Sequence, residues 1–67
     1  MQDFYIRTKR HWLKVSRHYK NKSFTFALGY TNEFKAFYIT NYSNEFVPTI
    51  KDAKEFAKNM IACEEKE

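Results

Sequence analysis

The chain has 67 residues, of which 30% are charged, and its formal net charge is +4. This length allows one domain with one hydrophobic core, which excludes a catalytic cleft between two domains. No run of about 18 apolar residues occurs, so we expect no membrane-spanning segment. The first residues lack the apolar run of a secretory signal and Cys63 is the single cysteine, so we expect a cytoplasmic protein without disulfides.

The first part of the chain alternates apolar and polar residues with period two, which predicts β-strands. Turn-forming residues at Lys9-Arg10, at Asn21 and at Thr31-Asn32-Glu33 separate these strands from one another. The predicted strands cover residues 4–8, 11–19, 23–30 and 34–41.

A helix is predicted after the strands, because apolar residues then recur at helical spacing. Pro48 precedes Thr49, whose hydroxyl is expected to cap the helix, and Asp52 lies near the positive end of the helix dipole. The apolar stripe consists of Ile50, Ala53, Phe56, Ala57, Met60 and Cys63. We interpret Cys63 as a core residue of this stripe rather than as a nucleophile.

These elements predict an α+β fold, a three- or four-stranded antiparallel meander followed by one C-terminal helix packed on one face. We predict a single domain over residues 1–63 and a frayed acidic tail over residues 64–67. A chain this small hides only about 60% of its unfolded surface. Its thirteen aromatic residues are therefore expected to supply much of the core.

The alternation also predicts which side of the sheet the helix covers. One side of the third strand carries only large side chains, and this side must face the helix. The predicted inner set is Phe4, Ile6, Leu13, Val15, Phe24, Phe26, Leu28, Tyr30, Phe37 and Ile39. The predicted open side holds Tyr5, Arg7, Lys9, Trp12, Lys14, Ser16 and His18, then Ser23, Thr25, Ala27 and Gly29, and finally Ala36, Tyr38, Thr40 and Tyr42.

Patterns typical of catalytic and metal sites are missing from the sequence. Gly29 is the single glycine, which excludes a glycine-rich phosphate loop. His11 and His18 have no cysteine pair nearby to complete a zinc site. We therefore expect no enzymatic activity, no metal and no cofactor.

Positive charge is concentrated in the first third of the chain. Residues 1–22 hold seven Lys or Arg against Asp3 alone, a charge of +6, whereas the remaining residues sum to −2. Cations interleaved with aromatic rings on an open sheet favour an acidic partner. The candidate binding residues are Arg7, Lys9, Trp12, Lys14, Arg17, His18, Lys20, Lys22, Tyr38 and Tyr42.

Two classes of partner are open for this surface. The first is nucleic acid, whose phosphates would contact Lys and Arg and whose bases would stack on the rings. The second is an acidic host protein, because Tyr, Trp and Arg are also enriched in protein interfaces. The small residues Ala27 and Gly29 would in addition allow two copies to pack face to face as a homodimer.

Two segments carry a resemblance to known proteins. The strand segment WLKVS at residues 12–16 and the helix segment TIKDAKEFA at residues 49–57 resemble small uncharacterised phage and prophage proteins of Gram-positive bacteria with AT-rich genomes. That resemblance implies an accessory gene product, either a regulator or an inhibitor of a host enzyme or defence system. The order of strands and helix also resembles the arm-site DNA-binding domain of tyrosine-type integrases, which implies a sheet that enters the major groove.

Overall fold

The protein forms a four-stranded antiparallel sheet with one helix packed on one of its faces. The computed structural model describes residues 2–66, in which the strands pair in sequence order as a meander. The elements are β1 (Gln2–Arg7), β2 (His11–His18), β3 (Ser23–Tyr30), β4 (Ala36–Ser43) and α1 (Ile50–Glu65). The predicted α+β class is confirmed, with four strands. Met1 of the predicted domain and Glu67 of the predicted tail lie outside the described residues.

The turn between β1 and β2 lies where the sequence predicts it. The Thr8 amide donates to the His11 carbonyl over 2.8 Å, and the His11 amide donates to the Thr8 hydroxyl over 3.0 Å. These bonds close the hairpin and leave Lys9 and Arg10 at its exposed tip. The turn between β2 and β3 comes after His18 and ends at Lys22, whose φ of 49° is left-handed.

The hydrophobic core lies between the sheet and α1. Its fully buried members come from β2, β3, the loop before α1 and one stripe of the helix, and they are Leu13, Val15, Phe24, Phe26, Leu28, Val47, Ala53, Ala57 and Ile61. Half-buried side chains surround them, including Phe4, Ile6, Ile50 and Met60. The predicted inner sides of the first three strands are therefore confirmed, except that Tyr30 at the end of β3 is 43% exposed and lies outside the core.

The predicted faces of β4 are wrong beyond Phe37, because the strand contains a β-bulge. Leu28 pairs with Tyr38 and Gly29 pairs with Ala36, so Phe37 is an extra residue opposite this step. One extra residue exchanges the faces of all side chains that follow it. Ile39 consequently lies on the open side with 62% of its surface exposed. The residues moved to the helix side are Tyr38, Thr40 and Tyr42.

The start of α1 confirms the predicted cap. The Asp52 amide donates to the Thr49 hydroxyl oxygen over 3.1 Å, and this hydroxyl donates to the Asp52 carboxylate over 2.9 Å. The predicted core role of Cys63 is wrong, since Cys63 is exposed and Ile61 is buried in the last turns instead. Because the helix has 3.6 residues per turn, Ile61 follows Ala57 by about one turn on the side that faces the sheet, and Cys63 lies outside this buried stripe.

The predicted frayed tail is wrong for Glu64 and Glu65, which belong to α1. The Glu65 carboxylate bonds to Thr8, Arg10 and His11 of the first hairpin. These bonds fix the end of the helix to a turn more than fifty residues earlier in the chain. Spacing along the helix alone gave no sign of this long-range contact.

The contrast between a buried and an exposed phenylalanine tests the position of the core. Phe26 is fully buried and contacts Phe56 at a ring-centroid distance of 5.1 Å, whereas Phe34 is fully exposed. We expect Phe26→Ala to lower the free energy of unfolding by about 3–5 kcal/mol, because it leaves a cavity. The matched change Phe34→Ala should alter it by less than about 0.5 kcal/mol. Urea unfolding followed by circular dichroism measures both, and equal effects would contradict the assigned core.

Candidate functional site

The side of the sheet away from α1, the open face, carries the strongest candidate for a binding site. The strand register arranges its residues in rows that run from β1 to β4. The first row is Arg7, Trp12, Gly29 and Ala36, and the second is Tyr5, Lys14, Ala27 and Ile39. The third row is Asp3, Ser16, Thr25 and Asn41. Aromatic and apolar groups, together with Arg7 and Lys14, therefore occupy one half of the open face, and uncharged polar groups and Asp3 occupy the other.

The Trp12 ring lies directly over Gly29. A Cβ atom at Gly29 would be 2.4 Å from Trp12 Cζ2 and 2.8 Å from the Lys35 carbonyl oxygen, so this position requires glycine. The indole Nε1 donates to the Glu33 carbonyl oxygen over 3.0 Å. Both contacts fix the plane of the ring, which is a preorganised apolar surface.

A groove of about 490 Å³ borders this ring. We call it the Trp12 groove, and its lining includes Tyr5, Arg7, Trp12, Lys14, Glu33 and Phe34. Tyr5 is 65% exposed and Phe34 projects fully into solvent from the loop between β3 and β4. The Trp12 groove thus combines one fixed ring and two exposed rings with the charged residues Arg7, Lys14 and Glu33.

The polar half of the open face satisfies its own hydrogen bonds. The Thr25 hydroxyl donates to Asn41 Oδ1 over 2.6 Å and lies 2.8 Å from His18 Nε2. The Thr25 hydroxyl therefore joins the side chains of His18 and Asn41. Lys14 Nζ lies 3.6 Å from the Asp3 carboxylate, which offsets its charge. His18 and Lys14 are thereby engaged within the sheet.

The candidate cations do not gather on one face. Arg7 and Lys14 lie on the open face, whereas Lys9 lies in the turn between β1 and β2. Lys20 and Lys22 lie in the turn at the opposite end of β2. Arg17 lies on the helix side, with its guanidinium 4.7 Å from the Tyr19 ring centroid and 5.7 Å from that of Phe24. The predicted single basic face is therefore not formed.

Two candidate tyrosines lie on the helix side, contrary to the prediction. Tyr42 packs on Phe26 and Phe56 at ring-centroid distances of 5.8 and 4.9 Å. Tyr38 lines a second groove between β4 and α1. Of the candidate residues, the open face therefore brings together Arg7, Trp12, Lys14 and His18.

Sequence reasoning missed two exposed apolar residues near the site. The strand predicted over residues 34–41 includes Phe34, although Phe34 directly follows the turn-forming residues Asn32 and Glu33, a position typical of a loop. The alternation predicts Ile39 in the core, and no local pattern corrects this prediction because the bulge is set by pairing with β3.

A second cluster of titratable groups joins the end of α1 to the first hairpin. His11 is buried, with Nδ1 2.8 Å from Glu65 Oε1, and the Thr8 hydroxyl bonds to the same oxygen. Arg10 donates from Nε to Glu65 Oε2 over 3.2 Å and from Nη2 to the Glu65 carbonyl over 2.8 Å. The hydrogen bonds from Thr8, His11 and Arg10 lower the pKa of the Glu65 carboxyl from 4.5 to about 2. This cluster fixes the helix end, where a carboxylate would otherwise oppose the helix dipole.

The cluster lacks the groups needed for metal binding. Across residues 2–66, no three His, Cys, Asp or Glu side chains come together in a way that could hold a metal ion. Nor is any helix in that part of the chain long and apolar enough to cross a membrane.

No family model matches the chain, and neither the curated proteins nor the solved structures contain a match.

The contact between Trp12 and Gly29 is testable by fluorescence. In Gly29→Ala the added Cβ would displace the indole, so we expect a shifted emission spectrum and a loss of about 1–3 kcal/mol of stability. Trp12 is the single tryptophan, so the emission reports this site alone. Ala27→Ser, on the same strand and face, is the control and should leave the spectrum unchanged. An unshifted spectrum in Gly29→Ala would contradict the contact.

The lowered pKa of Glu65 predicts a pH-dependent stability. The ionised carboxylate stabilises the folded state fully above its ordinary pKa of 4.5, and this contribution is lost as the pH falls towards about 2. We expect Glu65→Gln to be less stable at neutral pH and to lose less stability than the wild type across this interval. Thermal unfolding from neutral pH to pH 2 measures the difference. Glu64→Gln is the control, and its stability should depend on pH as that of the wild type does. If the stability of all three proteins depended on pH in the same way, the role of Glu65 would be refuted.

Proposed function

We propose that this protein is a small non-enzymatic module that binds a partner protein through the Trp12 groove on its open face. The observation that carries the proposal is the fixed Trp12 ring beside the exposed rings of Tyr5 and Phe34 and the side chain of Arg7. Trp, Tyr and Arg are the residue types that most often dominate the binding energy of protein interfaces. Exposed rings grouped on one face also favour a covering partner over bare solvent.

The distribution of charge favours a protein over nucleic acid. Binding to a nucleic acid depends on several phosphate contacts, which need cations on the surface that faces the ligand. Two candidate cations lie on the open face, and one of them, Lys14, is already paired with Asp3. Tyr38 and Tyr42, proposed as rings for base stacking, lie on the other side of the sheet.

The groove also indicates the chemistry of its partner. Arg7 is exposed, and no acidic side chain of residues 2–66 forms an ion pair with it. A partner that inserts an apolar side chain beside Trp12 and presents a carboxylate to Arg7 would satisfy both groups. The resemblance to phage proteins would make this partner a host protein, and that assignment stays a prediction.

Affinity capture with the full chain tests the proposal. The tagged protein is incubated with nuclease-treated bacterial lysate, captured proteins are identified by mass spectrometry, and the affinity for the purified partner is then measured. We expect Trp12→Ala and Phe34→Ala each to weaken this affinity by about 2 kcal/mol. Phe34→Ala is decisive because Phe34 is fully exposed and its loss should leave the fold intact. Phe46→Ala, which removes a 75% exposed ring from the loop before α1, is the matched control.

Two results would overturn the proposal. One is a partner that binds the control and the groove variants equally well. The other is binding of labelled DNA or RNA whose logarithmic affinity falls linearly with the logarithm of salt concentration, as phosphate neutralisation requires. Loss of that binding on charge reversal of Arg7 and Lys14 would assign the open face to nucleic acid.

A further inference from the structure

β4 is an edge strand that carries no charge. It runs over eight residues, pairs with β3 on one side, and has no strand on its other side among residues 2–66. Its sequence, AFYITNYS, contains no Lys, Arg, Asp, Glu or Pro. Edge strands usually carry such residues, because unpaired backbone N–H and C=O groups otherwise recruit another strand. The opposite edge, β1, carries Asp3 and Arg7.

The surface beside this edge is also mostly uncharged. A groove of about 500 Å³ lies between β4 and α1, and Phe37, Tyr38, Met60 and Cys63 contribute to it. Phe37 and Tyr38 are 43% and 48% exposed, and Ile39 beyond them is 62% exposed. The charged side chain in the lining is Glu64, near the end of the helix.

We infer that two copies of this chain pair through antiparallel β4 strands and form one continuous eight-stranded sheet. A second copy fits because the edge is neutral within a chain of net charge +4. Two such edges can meet without repulsion, whereas a strongly charged partner would find no counter-charge along β4. Pairing also satisfies the outward backbone groups of both strands at once.

The order of side chains along β4 is self-complementary. The helix side carries Tyr38, Thr40 and Tyr42, a sequence that reads the same in both directions. Antiparallel pairing centred on Thr40 places Tyr38 of each copy opposite Tyr42 of the other copy. The two-fold axis therefore generates two identical tyrosine pairs. Aromatic side chains on directly opposite residues stabilise antiparallel pairs. Both helices then lie on one side of the sheet, and both Trp12 grooves lie on the other.

Sedimentation analysis of the full chain tests this dimer. We expect the wild type at high micromolar concentration to sediment with twice its mass of 8.2 kDa. Ile39→Lys places a charge at the exposed centre of β4 and should weaken self-association about tenfold or more. Phe46→Lys adds the same charge at a similarly exposed apolar residue outside β4 and should leave it unchanged. Circular dichroism confirms that both variants fold.

Cysteine cross-linking tests the register. In a Cys63→Ser background, Thr40→Cys places two thiols on the two-fold axis, where opposite Cβ atoms are about 4.5–5.5 Å apart. Oxidation should therefore cross-link Thr40→Cys faster than the equivalent Phe46→Cys protein. Each of four results would overturn the inference. Two concern the dimer itself: a monomeric wild type, or a dimer that Ile39→Lys leaves intact. The other two are equal weakening of self-association by both lysine variants, and equal cross-linking rates of the two cysteine variants.

Discussion

The absence of a side chain at Gly29 is the constraint on which both the Trp12 groove and the edge strand β4 depend. The Trp12 ring and the Lys35 carbonyl oxygen both come within 3 Å of the place where a Cβ would lie. The bulge that sets the faces of β4 lies at the same step, between Leu28 and Gly29. A side chain at this position would force Trp12 and the start of β4 to shift together. The ring that defines the open face and the path of the edge strand are therefore coupled through one residue.

The helix is held by polar contacts at both ends and by apolar contacts along its length. Thr49 caps its first turn, and Glu65 in its last turn bonds to the hairpin between β1 and β2. Small residues, Ala53 and Ala57, let the helix approach the sheet closely. In a chain with one small core, the bonds of Glu65 to the hairpin help to select one orientation of the helix across the strands, since non-directional apolar burial does not. The Thr49 cap stabilises the first turn of the helix itself.

The positions of the charged side chains distinguish the kinds of partner that the fold can bind. The basic residues of the first third lie at both ends of β2 and on both faces, so they raise the net charge without forming one contact surface. This arrangement favours solubility and a general attraction to acidic partners. The open face instead offers rings and a guanidinium group, whereas the β4 edge offers backbone groups and neutral side chains.

The sequence by itself determined the α+β class, the extent of β3, the helix cap and the inner sides of the first three strands. The strands and their inner sides follow from local spacing, in which period two or 3.6 fixes the direction of neighbouring side chains. The cap follows from the residue types at Thr49 and Asp52. The tertiary structure alone decided the positions of Ile39, Tyr38 and Tyr42, the contact of Trp12 with Gly29 and the anchoring of Glu65. These features depend on residues distant in sequence, because a bulge exists only relative to the partner strand and an ion pair only where two segments meet.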